Sequence, residues 1–395
     1  MRVLQVQSSS RSRGGADDVM DGERDLLAAA GHEVEQLRHS PVGASAGARE
    51  AMDVVWNRRA AAEVQTLVGT FRPDVVHVHS PYPLLSPAVF RAASRAGAAT
   101  VTTVHSYRLV CVVGTCLRDG AVCEDCVGRT VKIPGVLHRC YHDSRAASAA
   151  MALSLATHRV AGTFRRDVHR YLALTGFARD LLIRDDYPAE RIGIAPNSVA
   201  DPGEPTHREG ALPYAVFLGR FVPEKGLETL LTAWESLALP LKIAGDGPGR
   251  DAVERAAARN PAVEYLGWLD AEAQHRLLAG AGVVVFPSTW YEGQPLVLLQ
   301  AMAHGVPVVS SDLANIEETA VAQGAGASFT TGDAQSLTRA VMRLVDDPAD
   351  ARRLGRAGRS AYLRRHTPER ALAGLVDEYD AALRTRDEQR AGAPR

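Results

Sequence analysis

Two cations stand five positions apart at Arg220 and Lys225, within Val216-Phe217-Leu218-Gly219-Arg220-Phe221-Val222-Pro223-Glu224-Lys225-Gly226. The apolar residues before Arg220 read as a strand, and a helix is expected from Gly226. Both charges therefore fall at one end of a strand–helix unit. Charge-assisted bonds from Arg and Lys to phosphate oxygens are strong, and two cations flanking a cleft suit a diphosphate. A pair of solvated surface charges would read the same way. A longer run, Pro287-Ser288-Thr289-Trp290-Tyr291-Glu292-Gly293-Gln294-Pro295-Leu296, follows the apolar strand Val283–Phe286. Pro295 is a good first-turn residue, and free N–H groups at the helix it opens favour phosphate or developing negative charge. Glu292 stands at the mouth of this turn, where a carboxylate accepts hydrogen bonds from sugar hydroxyls. Gln300, eight positions further on, lies one to two helical turns into the helix and can face the same ligand. The bland alternative is an ordinary strand–loop–helix unit with an exposed acid. Ile243-Ala244-Gly245-Asp246-Gly247-Pro248-Gly249 is a third strand-to-helix turn, weak by itself.

The first half offers less. Gly14-Gly15 follows the first strand, and His105 closes the strand Ala99–Val104. A lone histidine is more often structural than chemical. All five cysteines fall between Cys111 and Cys140, with Cys123 and Cys126 in a C-x-x-C spacing beside Cys116, His138 and His142. They could assemble a zinc knuckle, or they could be reduced thiols packing an insertion. Arg159, Arg165, Arg166 and Arg170 flank a helix that could dock on anionic lipid or could simply be solvated.

These residues need scaffolding. Strands are expected at Val3–Val6, His32–Leu37, Pro73–His79 and Ala99–Val104, with helices at Asp17–Ala30, Val54–Val68 and Pro87–Arg95 between them. A Ser12-Arg13-Gly14-Gly15 turn joins the first strand to its helix. After a turn-rich linker, Ala200 to Gly210, the rhythm restarts. Strands are expected at Tyr214–Leu218, Leu241–Ala244, Val263–Tyr265, Val283–Phe286 and Val306–Ser310. The intervening helices begin at Gly226 and Gly249 and run over Ala271–Leu278 and Pro295–Ala303, and a terminal helix spans Pro368–Leu383. The fold class is α/β: two Rossmann-like doubly wound domains facing a central cleft, over 1–199 and 200–366. Residues 367–395 are expected to cross back to the first domain. Such sheets bind ligands beyond the carboxyl ends of their strands.

A composition of 46% apolar and 23% charged residues is that of a globular enzyme. A formal net charge of −1 supplies no global attraction to nucleic acid. No secretory leader and no membrane-spanning run are read, so the expectation is a cytoplasmic protein, in reach of the inner membrane face. Lys132, Lys225 and Lys242 are the only lysines, which singles each of them out.

Together, the Gly-Arg…Lys-Gly pair, the Gly-Asp-Gly-Pro turn and the Glu-Gly-x-Pro stretch resemble glycosyltransferase family 4, in that family's order and across nearly the whole chain. The resemblance implies the GT-B fold, with an acceptor-side first domain and a nucleotide-sugar-binding second domain. It implies retaining transfer of a hexose or N-acetylhexosamine from a nucleotide-diphosphate sugar, UDP favoured, to a glycan, lipid-linked or secondary-metabolite acceptor. Arg220 and Lys225 would grip the diphosphate. Glu292 would hold donor-sugar hydroxyls, helped by the backbone of Gly293, Gln294, Pro295 and Leu296. Gln300 stands where the family usually has a glutamate that holds the ribose, so altered donor binding is expected. Gly15 would lie near the donor, and Gly14, Tyr107 and Arg108 on the acceptor side. His105 resembles the family's cleft histidine and, with Glu292, is the catalytic candidate. With no Asp-x-Asp motif after any apolar strand, no metal ligand and no cofactor are expected. The expected partners are the donor and a sugar-containing acceptor, with weak peripheral membrane association at most, in a monomer or homodimer. The alternatives are an epimerase or phosphorylase of the same fold, or a catalytically silent partner subunit.

Overall fold

The computed structural model describes residues 1–9, 14–40, 48–205 and 212–392. They form two compact units: 1–118 with 123–196 and 371–395, and 119–122 with 197–370. Each is built on six parallel strands.

In the first unit the strands are β1 (Arg2–Ser8), β2 (Glu33–His39), β3 (Val75–Ser80), β4 (Ala99–Val104), β5 (Arg170–Ala173) and β6 (Ile192–Ile194). Their order is β2-β1-β3-β4-β5-β6. Val3, Val75, Ala99 and Val101 are buried with Leu27 of the first helix and with Leu375, Tyr379 and Ala382 of the terminal helix Pro368–Gly392. A parallel sheet covered on both faces must read as continuous apolar runs, and β3 and β4 do. That makes the histidines inside β3 stand out. The first helix, Gly15–Ala29, is opened by Gly14, whose N–H donates to the Asp17 carboxylate at 3.0 Å. Ser12 and Arg13 of the expected turn lie outside the described residues.

The single helix expected over Val54–Val68 is two, Ala48–Trp56 and Arg58–Phe71. Asn57 breaks it. Its side-chain oxygen caps the second helix by accepting from the N–H groups of Arg59 and Ala60, while its amide donates to the Leu84 carbonyl at 2.6 Å. Such a cap contributes about 1 kcal/mol, enough to end one helix and begin another.

The basic stripe is largely spoken for. Arg159 pairs with the fully buried Asp185 at 2.5 Å, which Lys132 also reaches at 2.6 Å from full burial. Arg170 pairs with Glu378 of the terminal helix, and Arg165 with the exposed Asp186. Most of this charge therefore ties the unit together. Among the described residues no helix is long and apolar enough to cross a membrane.

In the second unit the strands are β7 (Ala215–Leu218), β8 (Leu241–Ala244), β9 (Val263–Tyr265), β10 (Val283–Phe286), β11 (Val308–Ser311) and β12 (Gly326–Phe329). Their order is β9-β8-β7-β10-β11-β12. The chain winds outward from β7 to β9, then returns to β10 beside β7 and winds the other way. The reversal places the ligand-prone crevice at the carboxyl ends of β7 and β10. Apolar clusters cover both faces, one around Trp234, Phe217 and Leu241, the other around Leu298, Met302 and Tyr362. Residues 206–210 of the expected linker lie outside the described residues. Its start is held in place, because Asp201 takes two hydrogen bonds from Arg359 at 2.7 and 3.1 Å.

Candidate functional site

The loops leaving β7 and β10 are joined by backbone and side-chain bonds. Thr289 N–H donates to the Glu224 carbonyl at 2.9 Å, and Ser288 Oγ lies 3.1 Å from the same oxygen. Gly226 sits against Pro287 at φ +70°, and a Cβ there would fall 1.8 Å from the Pro287 carbonyl oxygen. Only glycine permits both the left-handed backbone and the approach.

The consequence is an ion pair. Lys225 Nζ lies 2.6 Å from Glu292 Oε1, and the same oxygen accepts from Ser288 Oγ at 2.8 Å and from Trp290 Nε1 at 2.6 Å. Glu292 is 8% exposed, and its backbone carbonyl accepts from the Asn315 amide. Its position is thus fixed from several sides. Lys225 also sits 5.2 Å from the centre of the Phe286 ring.

Arg220 follows β7 and is exposed, with no ion pair among the described residues. Its backbone is clamped by the Gly245–Gly249 turn. Phe221 N–H donates to the Asp246 carbonyl at 2.8 Å, and a Cβ on Gly245 would fall 1.9 Å from the Gly219 carbonyl oxygen. The weakest of the three glycine turns therefore positions the exposed cation. The helix Leu296–Ala303 starts at Pro295 without a side-chain cap; Leu298 N–H donates to the Pro295 carbonyl at 3.2 Å, and the N–H groups of Leu296 and Val297 ahead of it are the ones placed to meet an anion.

Two more of the expected residues are placed by the structure. The Gln294 side chain is buried and spent on the chain itself: its Oε1 accepts from Asn197 N–H at 2.6 Å. Its backbone carbonyl also accepts, from the Asn197 side-chain amide at 3.1 Å. Gln300 lies half-buried on the helix, and its side chain makes no hydrogen bond among the described residues.

In the first unit, the carboxyl ends of β3 and β4 carry a cluster of histidines. His77 and His79 alternate along β3 and so share one sheet face, where Glu23 of the first helix meets them. Glu23 Oε2 is 3.5 Å from His77 Nδ1 and 3.4 Å from His79 Nε2. His77 is held by Tyr379 Oη and Thr103 Oγ1, each at 2.8 Å. His79 Nδ1 lies 3.0 Å from His105 Nε2, and the two rings stack. Burial pushes His77 down to about 3 and His105 to about 4, and it pushes the Glu23 carboxyl up to about 8. At neutral pH the imidazoles are uncharged. Tyr107 is buried against Phe177, so it packs the loop after β4. Arg108 stacks over Tyr141, and its Nη1 is buried without a partner among the described residues.

The five cysteines carry free thiols, with Cys111, Cys116 and Cys126 buried. Hydrogen bonding with Cys116 draws the Cys111 thiol down to about 6, while that same contact and burial push Cys116 up. Among the described residues, the group whose ligand atoms gather within 4.8 Å is Glu23, His77 and His79, with no cysteine in it.

Two family models match the chain in succession, "Glycosyltransferase Family 4" over residues 13–201 and "Glycosyl transferases group 1" over residues 213–347. The chain belongs to glycosyltransferase family 4. It is 35% identical over 153 residues to a phosphatidyl-myo-inositol mannosyltransferase of Propionibacterium freudenreichii subsp. shermanii, a match covering 37% of this chain and 38% of that one. It is 30% identical over 199 residues to the O-antigen chain mannosyltransferase B of Escherichia coli, covering 45% and 51%. The chain therefore spans about half or less of the length of these curated relatives. Among solved structures, sucrose-phosphate synthase from Thermosynechococcus elongatus superposes with a TM-score of 0.70 at 17% identity, covering 96% of this chain and 98% of that one. Anabaena Alr3699/HepE in complex with UDP-glucose superposes with a TM-score of 0.65 at 15% identity, covering 96% and 100%. The fold of this family 4 member is GT-B.

Sequence reasoning missed Ser288, Trp290 and Asn315 as supports of Glu292, and Glu23, His77 and His79 as neighbours of His105. The period-two spacing of His77 and His79 inside an apolar strand was the available signal.

Proposed function

We propose that this protein is a retaining, metal-independent glycosyltransferase that moves a hexose or N-acetylhexosamine from a nucleotide-diphosphate sugar, UDP favoured, to a glycan, lipid-linked or secondary-metabolite acceptor. The observation carrying the proposal is the Lys225–Glu292 ion pair at 2.6 Å, beside the exposed Arg220 and an uncapped helix start. A carboxylate fixed by three donors is an acceptor for sugar hydroxyls. A lysine and an arginine beside it supply charge for a departing diphosphate. An arriving diphosphate would compete with Glu292 for Lys225, so donor binding and placement of the sugar acceptor group are linked. Relatives named for mannosyl transfer, and a structural neighbour holding UDP-glucose, support the donor class.

In the retaining reading, the sugar–phosphate bond breaks as the acceptor oxygen attacks from the same face. The leaving phosphate takes the acceptor proton. Arg220, Lys225 and the helix N-terminus stabilise that phosphate, the role a divalent cation fills elsewhere.

The test is nucleotide release from a panel of UDP- and GDP-sugars in excess EDTA, with the anomeric configuration of product read by NMR. Release continuing in EDTA, with the donor's configuration kept, is expected. Rapid, metal-restored loss of turnover would overturn metal independence, and an inverted anomer would overturn retention.

A further inference from the structure

Glu23 Oε2 and His79 Nε2 are among the buried polar atoms of the first unit that have no hydrogen-bond partner among the described residues. They face each other at 3.4 Å. The Glu23 side chain keeps 18% of its surface exposed, yet Oε2 itself is enclosed. A buried polar atom left without a partner is costly. The pair is not in hydrogen-bond geometry as it stands, and a small approach of the two side chains lets a single shared proton satisfy both.

That proton has a consequence further along the cluster. His79 meets His105 through its other ring nitrogen, Nδ1 to Nε2 at 3.0 Å. A neutral imidazole carries one N–H and one lone pair, so what one nitrogen does fixes the other. If Glu23 carries the proton, its O–H donates to His79 Nε2. His79 Nδ1–H then donates to His105 Nε2, and the His105 proton is left on Nδ1. If the cluster loses one proton, every bond reverses. The Glu23 carboxylate accepts from His79 Nε2–H, His79 Nδ1 accepts from His105 Nε2–H, and His105 Nδ1 becomes a lone pair. Between the two states one proton leaves from His105 Nδ1, one shifts from His79 Nδ1 to His105 Nε2, and one shifts from Glu23 to His79 Nε2.

We propose that Glu23 and His79 are positioning residues that set the tautomer of His105, so that this histidine presents a donor or an acceptor at Nδ1 according to one proton held in the core. The value of the inference for catalysis rests on reading His105 as part of the transfer site. The proton chain itself does not.

The surroundings fit a shared proton better than a cation. Both nitrogens of His77 already meet hydroxyls at 2.8 Å. The guanidinium of Arg38 acts on His79 from the edge of β2, while itself paired with Asp21 and, at 3.9 Å, with Asp17. The Asp17 carboxylate acts on His105, and Tyr379 of the terminal helix closes the far side of His77 and Glu23. Desolvation raises the Glu23 carboxyl to about 8. The switch thus lies within reach of working pH.

The experiment is long-range proton–nitrogen NMR on the full chain labelled at histidine nitrogen, titrated through about pH 8. His105 is expected to move from the Nδ1–H to the Nε2–H form, with His79 following in step. Glu23→Gln cannot ionise, so the change should vanish, and His79→Gln should uncouple His105 from it. A His105 tautomer constant across the wild-type titration overturns the proposal, even if neither variant folds. So does a change that persists in Glu23→Gln, or a pattern that appears only when zinc is added and vanishes with chelator. In parallel, the pH profile of kcat/KM should lose its inflection near 8 in Glu23→Gln. Absence of any sugar transfer would count against the proposed function and leave the NMR result standing.

Discussion

The two sheets of this protein end in opposite kinds of chemistry. At the carboxyl ends of β7 and β10 a charged pair, Lys225 and Glu292, is held near the surface beside the exposed Arg220. At the carboxyl ends of β3 and β4 lies a neutral cluster, in which burial strips the charge from His77 and His105 and keeps a proton on Glu23. The same doubly wound architecture serves both. What differs is water: charges persist where loops open outward, and desolvation neutralises groups roofed by the first and last helices. The first arrangement suits gripping an anion, and the second suits directing hydrogen bonds.

The largest effect expected is on the charged side. Lys225→Ala removes a diphosphate partner and strips Glu292 of its counter-ion, so kcat/KM should fall by about 2–4 kcal/mol, as loss of an electrostatic stabiliser usually costs. Arg220→Ala has no internal partner to lose and should cost less while acting mainly on donor KM. Steady-state kinetics with the active donor reads both. Equal, near-wild-type rates would place the phosphates elsewhere.

Next comes the brace. Gly226→Ala puts a Cβ at φ +70° and 1.8 Å from a backbone oxygen. Left-handed strain alone costs about 1–2 kcal/mol, and the overlap must also push the two loops apart. The melting temperature should fall by roughly 4 °C or more, with donor affinity falling in parallel. Gly69→Ala in the helix Arg58–Phe71, where a Cβ meets nothing within 4 Å, is the control and should lower neither.

The neutral cluster breaks by pH. An unfolded glutamate titrates near 4.5, while folded Glu23 holds its proton to about 8. The native state therefore binds the extra proton between these values, and stability falls as pH rises across that window. The histidines run the other way. His77 and His105 titrate near 6.5 when unfolded but stay neutral to about 3 and about 4 when folded, so the stability they contribute is lost as pH falls below 6.5. Glu23→Gln should remove the fall in stability between pH 4.5 and about 8 and spare the histidines' loss below 6.5, as denaturant melts at several pH values would show. An unchanged fall between 6.5 and 8, above the histidine window, would mean that Glu23 is ionised in the native state.

Much of this was legible before any coordinates. The strands Ala99–Val104, Leu241–Ala244, Val263–Tyr265 and Val283–Phe286 fall where expected, because short apolar runs rich in β-branched residues leave little room for another reading. The break at Asn57 was not legible, since its cap competes with a helical period running straight through it. In the site, Arg220, Lys225 and Glu292 were named from residue type and spacing. Their bonding was not, because the Lys225–Glu292 contact spans 67 positions and depends on where Gly226 lets two loops touch. Glu23 stayed hidden because an acid on an amphipathic helix is ordinarily solvated. Only the fold shows its oxygen turned inward.

The smallest expected effect sharpens the division of labour around Glu292. If Gln300 faces the ribose, Gln300→Glu replaces a neutral acceptor with a charged one, a gain of about 1 kcal/mol in UDP binding, or roughly fivefold. Gln300→Leu should lose a similar amount. Glu292→Ala behaves differently. Because Glu292 Oε1 occupies Lys225 at 2.6 Å, removing it frees the lysine for phosphate, so UDP affinity should hold or rise while transfer collapses. Calorimetric titration of UDP into the three variants, with kcat measured alongside, separates these roles. If UDP binding instead weakens in Glu292→Ala and ignores Gln300, the two residues have exchanged partners. The ribose would then sit at the ion pair, and the sugar would lie over the helix.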